Sequence, residues 1–118
     1  MTLQEAQGAL WNKLETLPDW EAAKEMSAKK SVLIVKHSMT CPISTKAFFR
    51  IEKGIKQKVL SCPVYVVIVQ TARNISQQIE KDLDVEHESP QVIVMKEEKP
   101  VYDTSHLDID AQTIVSFL

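Results

Sequence analysis

Val32-Leu33-Ile34-Val35-Lys36-His37-Ser38-Met39-Thr40-Cys41-Pro42-Ile43-Ser44 is the stretch whose reading decides the fold. Val32 to Lys36 is a continuous apolar run ending in a charge, the pattern of a strand covered on both faces, as in a parallel sheet. Beyond it, Ile43, Ala47, Phe48, Ile51 and Ile55 recur at spacings of three to four and form the apolar stripe of a helix. Pro42 suits the first helical position, where its missing N–H would have no partner anyway. Lys53, Lys56 and Lys58 gather near the end of this pattern, and Gly54 weakens its last turns. Cys41 therefore stands where a strand hands over to a helix. The free N–H groups and the dipole of a helix N-terminus stabilise an anion. A thiolate is such an anion, so the position favours a lowered thiol pKa and a reactive sulfur. The reading is a nucleophile suited to thiol–disulfide exchange. The alternative, a buried cysteine acting as a small hydrophobe, fits poorly with polar, helix-opening neighbours.

Working outward, Leu10 to Leu14 reads as a short first strand. Thr16 with Asp19 three residues on resembles a capping pair, Pro18 is tolerated in a first turn, and Trp20, Ala23 and Met26 follow at helical spacing. This predicts a helix over 18–29. Val64 to Val69 is the strongest strand, six β-branched or aromatic residues in succession. Asn74 with Gln77 predicts a cap for a helix carrying Ile75, Ile79 and Leu83. Gln91 to Met95 predicts a strand, and the charged turn Lys96-Glu97-Glu98-Lys99 joins it to Val101-Tyr102 in an antiparallel hairpin. Asp110 can cap a last helix with Ile114, Val115, Phe117 and Leu118 facing inward. The order β-α-β-α-β-α-β-β-α predicts an α/β fold, a central mixed sheet flanked by helices. The closing hairpin and helix are the arrangement of a thioredoxin-like fold, expected here as one domain over 1–118.

The chain has 118 residues, 44% hydrophobic and 25% charged, with a net charge of -2. A size and composition of that kind suit a soluble domain with its own core. The charge balance argues against a non-specific nucleic-acid binder, which needs a basic surface. No segment approaches the roughly 18 apolar residues of a membrane span, and Met1 to Glu5 does not open as a secretory signal. Two cysteines without an export signal predict free thiols in a reducing compartment, the cytoplasm. No metal-ligand spacing and no glycine-rich phosphate loop is present.

Lys36-His37-Ser38-Met39-Thr40-Cys41-Pro42-Ile43-Ser44, Arg73-Asn74-Ile75-Ser76, His87-Glu88-Ser89-Pro90-Gln91 and Ser105-His106, taken together, resemble the monothiol bacilliredoxins of the YtxJ type. The resemblance runs from about Leu33 onward. It departs after Ser105-His106, where Leu107-Asp108 stands instead of an aromatic and a threonine. It implies a thioredoxin fold and removal of bacillithiol from mixed disulfides of bacillithiolated cytosolic proteins. Cys41 would attack and carry the bacillithiol. Bacillithiol would be a co-substrate, with no tightly bound cofactor, and the chain a monomer.

Ser44 occupies the place where a two-cysteine oxidoreductase has its resolving thiol. A serine cannot close an internal disulfide, so an external thiol must resolve the intermediate; it can also hydrogen-bond the thiolate or simply satisfy the first turn. Thr40 and Pro42 flank the nucleophile. The resemblance makes the Ser89–Pro90 bond cis, leaving Ser89 backbone free to pair with a substrate chain; without it, Pro90 is an ordinary loop-breaking proline. His37 can act electrostatically or as a proton carrier, or be an exposed loop histidine. Lys36 and Lys46 can attract a thiolate or the carboxylates of a small anionic thiol, or be solvated lysines. Arg73 can hold a carboxylate. His87 and His106 read as isolated surface residues. Cys62 leads into the central strand at the edge away from Cys41 and reads as partly buried and inert.

Two other functions compete. One is an iron–sulfur carrier in which two monomers and two small thiols hold a cluster, although Pro42 stiffens the loop where monothiol glutaredoxins have glycine. The other is a redox-inactive interaction module whose Cys41 titrates near an ordinary thiol value of about 8.5.

Overall fold

The computed structural model describes residues 11–40, 42, 45–46, 49–50 and 63–117. Cys41, Ser44, Cys62 and Leu118 lie outside them, as do Ile43, Ala47, Phe48, Ile51 and Ile55 of the predicted apolar stripe. Pro42, Thr45, Lys46, Phe49 and Arg50 are helical, as the sequence predicts for the segment after Cys41.

Five strands form one sheet: β1 (Trp11–Lys13), β2 (Val32–His37), β3 (Val64–Ile68), β4 (Gln91–Lys96) and β5 (Lys99–Ser105). Their order is β1-β3-β2-β4-β5. β1 and β2 run parallel to β3, and β4 runs antiparallel to both β2 and β5. Helices α1 (Leu17–Ser27), α2 (Arg73–Leu83) and α3 (Ala111–Val115) and a 3-10 turn (His106–Asp108) complete the described chain.

The two faces of the sheet carry separate cores because side chains alternate along each strand. Leu33, Val35, Val64, Val66, Val92 and Val94 pack with Ile109 and Ile114 at the α3 end. Val32, Ile34, Val67, Ile93 and Met95 pack with Trp20, Ala23, Ile75 and Ile79 of α1 and α2. Trp20 also donates from Nε1 to Asp82 Oδ2 at 2.8 Å, which ties α1 to α2.

The start of α1 follows the predicted capping box. Asp19 N–H donates to Thr16 Oγ1 at 3.3 Å, and Thr16 N–H donates back to Asp19 Oδ2 at 3.0 Å. Thr16→Ala removes one acceptor from the first turn and is expected to lower stability by about 1 kcal/mol. A urea titration reads this directly; an unchanged midpoint would show that the cap contributes nothing here.

Several boundaries differ from expectation. Helix α2 is capped by Ala72 rather than Asn74, which is its second residue, and no side chain accepts from its first turn. The buried positions Ile75, Ile79 and Leu83 agree with the pattern. Strand β5 extends well beyond Val101-Tyr102 at both ends. The hairpin turn Glu97-Glu98 has both residues at positive φ (51° and 60°), a conformation that asparagine and glycine adopt more readily. The end of α1 offsets the cost: Ser27 O accepts from Glu97 N–H at 2.8 Å and Ser27 Oγ from Glu98 N–H at 2.9 Å. Asp110 caps α3 as predicted, and Ile114 is buried. Phe117 does not face inward; it is 40% exposed and stacks on Tyr102 with ring centroids 4.3 Å apart.

Candidate functional site

The site forms at the edge of the sheet where β2 ends. His37 is the last residue of β2 and is buried, not an exposed loop residue. Its carbonyl accepts from Val69 N–H at 3.0 Å, which holds the exits of β2 and β3 together. The chain then turns through Ser38, Met39 and Thr40 toward Cys41.

Gln70, in the turn after β3, clamps this loop. Met39 N–H donates to Gln70 Oε1 at 3.1 Å, and Gln70 Nε2 donates to Ser38 Oγ at 2.7 Å and Thr40 Oγ1 at 3.2 Å. Sequence reading missed Gln70. Its partners lie about 30 residues away in the chain, and only the parallel pairing of β2 with β3 brings them together. Gln70→Ala frees the residue preceding the nucleophile. It is expected to slow alkylation of Cys41 about tenfold, since misplacement by about 1 Å can cost more than that. Global stability should move by about 1 kcal/mol or less, because the bonds are exposed. Equal alkylation rates in both proteins would remove Gln70 from the site.

Pro90 reaches the same edge from the other side. The Lys36↔Gln91 pairing puts the residue before β4 alongside the end of β2. The Ser89–Pro90 bond is cis and Pro90 is buried. Gln91 fixes the approach: it is 2% exposed, and its Nε2 donates to Glu86 O at 2.9 Å. Ser89 Oγ is enclosed and, among the described residues, has no hydrogen-bond partner. Ser105-His106 joins this cluster, with His106 N–H donating to Pro90 O at 3.0 Å and its Nε2 lying 2.8 Å from Glu88 Oε2. His106 is therefore exposed but not isolated.

Lys36 is the largest departure from expectation. It is fully buried, not solvated at a strand end. Strand alternation carries it to the α1–α2 side with Val32 and Ile34. Its Nζ donates to Ser76 O at 3.2 Å and to His87 Nδ1 at 3.1 Å, and Ser76 Oγ lies 2.9 Å from the same Nδ1. An ammonium only donates, so a charged Lys36 requires the His87 tautomer that accepts at Nδ1. Burial pushes the Lys36 ammonium down to about 8. Burial, and then the Lys36 charge, hold the His87 imidazolium below its usual range. His87 is thus exposed, as expected, but part of a network rather than isolated. The signal for Lys36 was present in the sequence, because residues 32, 34 and 36 of a strand share one face.

Arg73, the first residue of α2, is exposed and lines a cleft of about 380 Å³ with Val69, Gln70, Ser76, Gln77 and His87. Lys46 and Pro42 are exposed on the helical segment after Cys41. The structure thus gathers His37, Thr40, Pro42, Ser89, Pro90 and Arg73 around one sheet edge, and puts Lys36 behind it. Of the predicted residues, Cys41 and Ser44 lie outside the described residues.

A family model of the monothiol bacilliredoxin BrxC matches residues 12–114. The chain belongs to the monothiol bacilliredoxin family. Among solved structures, one described as a candidate oxidoreductase with a thioredoxin fold is 32% identical, with a TM-score of 0.81 over 94% of this chain and 95% of that one. Thioredoxin from Fasciola hepatica is 13% identical, with a TM-score of 0.71 over 90% of this chain and 94% of that one. Thioredoxin from Schistosoma mansoni is 14% identical, with a TM-score of 0.70 over 92% and 95%. The two thioredoxins speak for the fold alone. A thioredoxin fold in a bacilliredoxin family member gives the chain a role in thiol redox chemistry. No helix among the described residues is long and apolar enough to cross a membrane.

Proposed function

We propose that the chain removes bacillithiol from mixed disulfides of cytosolic proteins, with Cys41 as the only cysteine in the reaction. The Cys41 thiolate attacks the bacillithiol sulfur of the protein–bacillithiol disulfide. A new sulfur–sulfur bond forms to Cys41, the old one breaks, and the protein sulfur leaves as a thiolate that takes up a proton. One disulfide replaces another, so no electrons are gained or lost overall. Ser44 cannot displace the bacillithiol, so a second thiol from solution attacks the Cys41 disulfide and restores the thiolate.

The observation that carries this reading is the family match over residues 12–114 on a chain with Cys41-Pro42-Ile43-Ser44 after β2. Ser89 and Pro90 lie just before β4 at the same edge, where a protein substrate can be laid along Ser89 as an added strand. Among the described residues the enclosed Ser89 Oγ has no partner, and a substrate laid there would complete its hydrogen bonding.

The test is intact-mass spectrometry of the reduced protein mixed with a bacillithiol-modified protein. The bacillithiol mass should move onto this chain and leave it again on addition of free thiol. If no mass moves while Cys41 is reduced and open to alkylation, the bacillithiol assignment is wrong.

A further inference from the structure

The cleft beside the Cys41 loop carries a charge that the exchange mechanism does not use. Lys36 Nζ is enclosed, and its two partners, Ser76 O and His87 Nδ1, are uncharged. A buried ammonium without a carboxylate beside it costs several kcal/mol. Among the described residues no carboxylate forms an ion pair with it. Glu80 acts on it only through space and already accepts from His87 N–H.

Both partners of Lys36 belong to the cleft wall. Arg73 stands at the same wall, and among the described residues its guanidinium has no partner. Ala72 supplies no capping oxygen to α2, so the first-turn N–H groups add the positive end of the helix dipole. Gln70 and Gln77 bring amide side chains. A cationic base, a free guanidinium and amide donors are the groups that recognise a carboxylate. The volume of about 380 Å³ lies in the range of small-molecule sites. Gln70 lines this cleft and also holds Ser38, Met39 and Thr40, so a ligand here lies beside the chain that leads into Cys41.

We propose that this cleft is the subsite for the carboxylate-bearing part of the small thiol, with Arg73 in direct contact and Lys36 acting from behind the wall. The inference rests on the exchange reading of Cys41. It separates two roles: the Ser89–Pro90 edge for the protein chain, and the Arg73 cleft for the small thiol.

Two measurements on the full chain test it. In the first, the 15N-labelled protein is titrated with malate, a free dicarboxylate. Saturable amide shifts are expected at Gln70, Arg73 and Gln77, with affinity about tenfold weaker in Arg73→Gln, the loss of one charge-assisted contact. Lys36→Met, where it folds, should weaken binding likewise, and exposed Arg73 gives a variant that does not depend on the core. In the second, one protein is offered with either bacillithiol or cysteamine as its mixed disulfide. Arg73→Gln should slow transfer of bacillithiol about tenfold and leave transfer of cysteamine, which has no carboxylate, unchanged. Absence of saturable shifts overturns the subsite. Equal slowing with both disulfides also overturns it, and moves the carboxylate to the protein substrate. Malate shifts without transfer of either thiol overturn the exchange reading itself, and the small thiol as ligand with it, leaving only an anion site.

Discussion

Cys41→Ser is expected to abolish transfer of bacillithiol to this chain, and Cys62→Ser to leave it at the wild-type rate. The first result follows from chemistry rather than geometry. An oxygen in place of sulfur cannot carry the disulfide that holds the transferred thiol, so the intermediate has no counterpart in the variant. The second follows from the sheet. β3, into which Cys62 leads, begins at Val64 opposite Leu33, whereas the chain reaches Cys41 past His37, opposite Ile68. Four residues of strand separate these edges by about 13 Å, whereas bridged cysteines have Cα atoms within about 7 Å. Intact mass after mixing each variant with bacillithiolated substrate separates the cases. Mass appearing on Cys41→Ser, or lost with Cys62→Ser, would assign the nucleophile to Cys62.

The second large effect is on stability. Lys36 is charged in the unfolded chain up to about 10.5 but in the folded protein only up to about 8. Between these values the unfolded state holds more protons. Stability therefore rises as pH climbs through that window, and the cost of the buried charge is fully present below it. The whole shift corresponds to about 3 kcal/mol, the upper bound of the expected gain. Lys36→Met removes this component. Burial raises Tyr65 and acidic partners raise Lys24 against their own desolvation. Both effects are common to the two proteins and cancel in the comparison. Denaturant unfolding at intervals from pH 7.5 to 10.5 should show the wild-type curve rising toward or past that of Lys36→Met. Parallel curves would mean that Lys36 titrates as a solvated lysine.

The same network affects the acid side. His87 is held below its usual range, so the unfolded chain takes up its proton first as pH falls through about 6.5. That change destabilises the fold, and the loss should be smaller in Lys36→Met, where the lysine charge no longer opposes the proton.

Much of the fold was legible because its cues are local. The capping box of Thr16 and Asp19, the apolar run of β2, the β-branched run of β3 and the Asp110 cap each lie within a few residues. Each names its element without reference to the rest of the chain. Asn74 misled because cap chemistry alone does not say where a helix starts. The turn from β3 starts α2 two residues earlier, behind buried Ala72. Phe117 misled because helical spacing marks a side of a helix, not what covers it, and here Tyr102 covers it from the sheet.

By itself the sequence determined the order of elements, the position of Cys41 at a strand-to-helix junction and the absence of a second thiol in its loop. These depend on residue type and short-range spacing, which hold wherever the chain goes. Tertiary structure alone decided that Gln70 holds the residues before Cys41 and that Ser105-His106 meets Glu88 and Pro90. It alone decided that Lys36 is buried against Ser76 and His87 behind the Arg73 cleft. Those contacts join residues 16 to 51 positions apart, and their partners follow from sheet order and register, which no single stretch of the chain encodes.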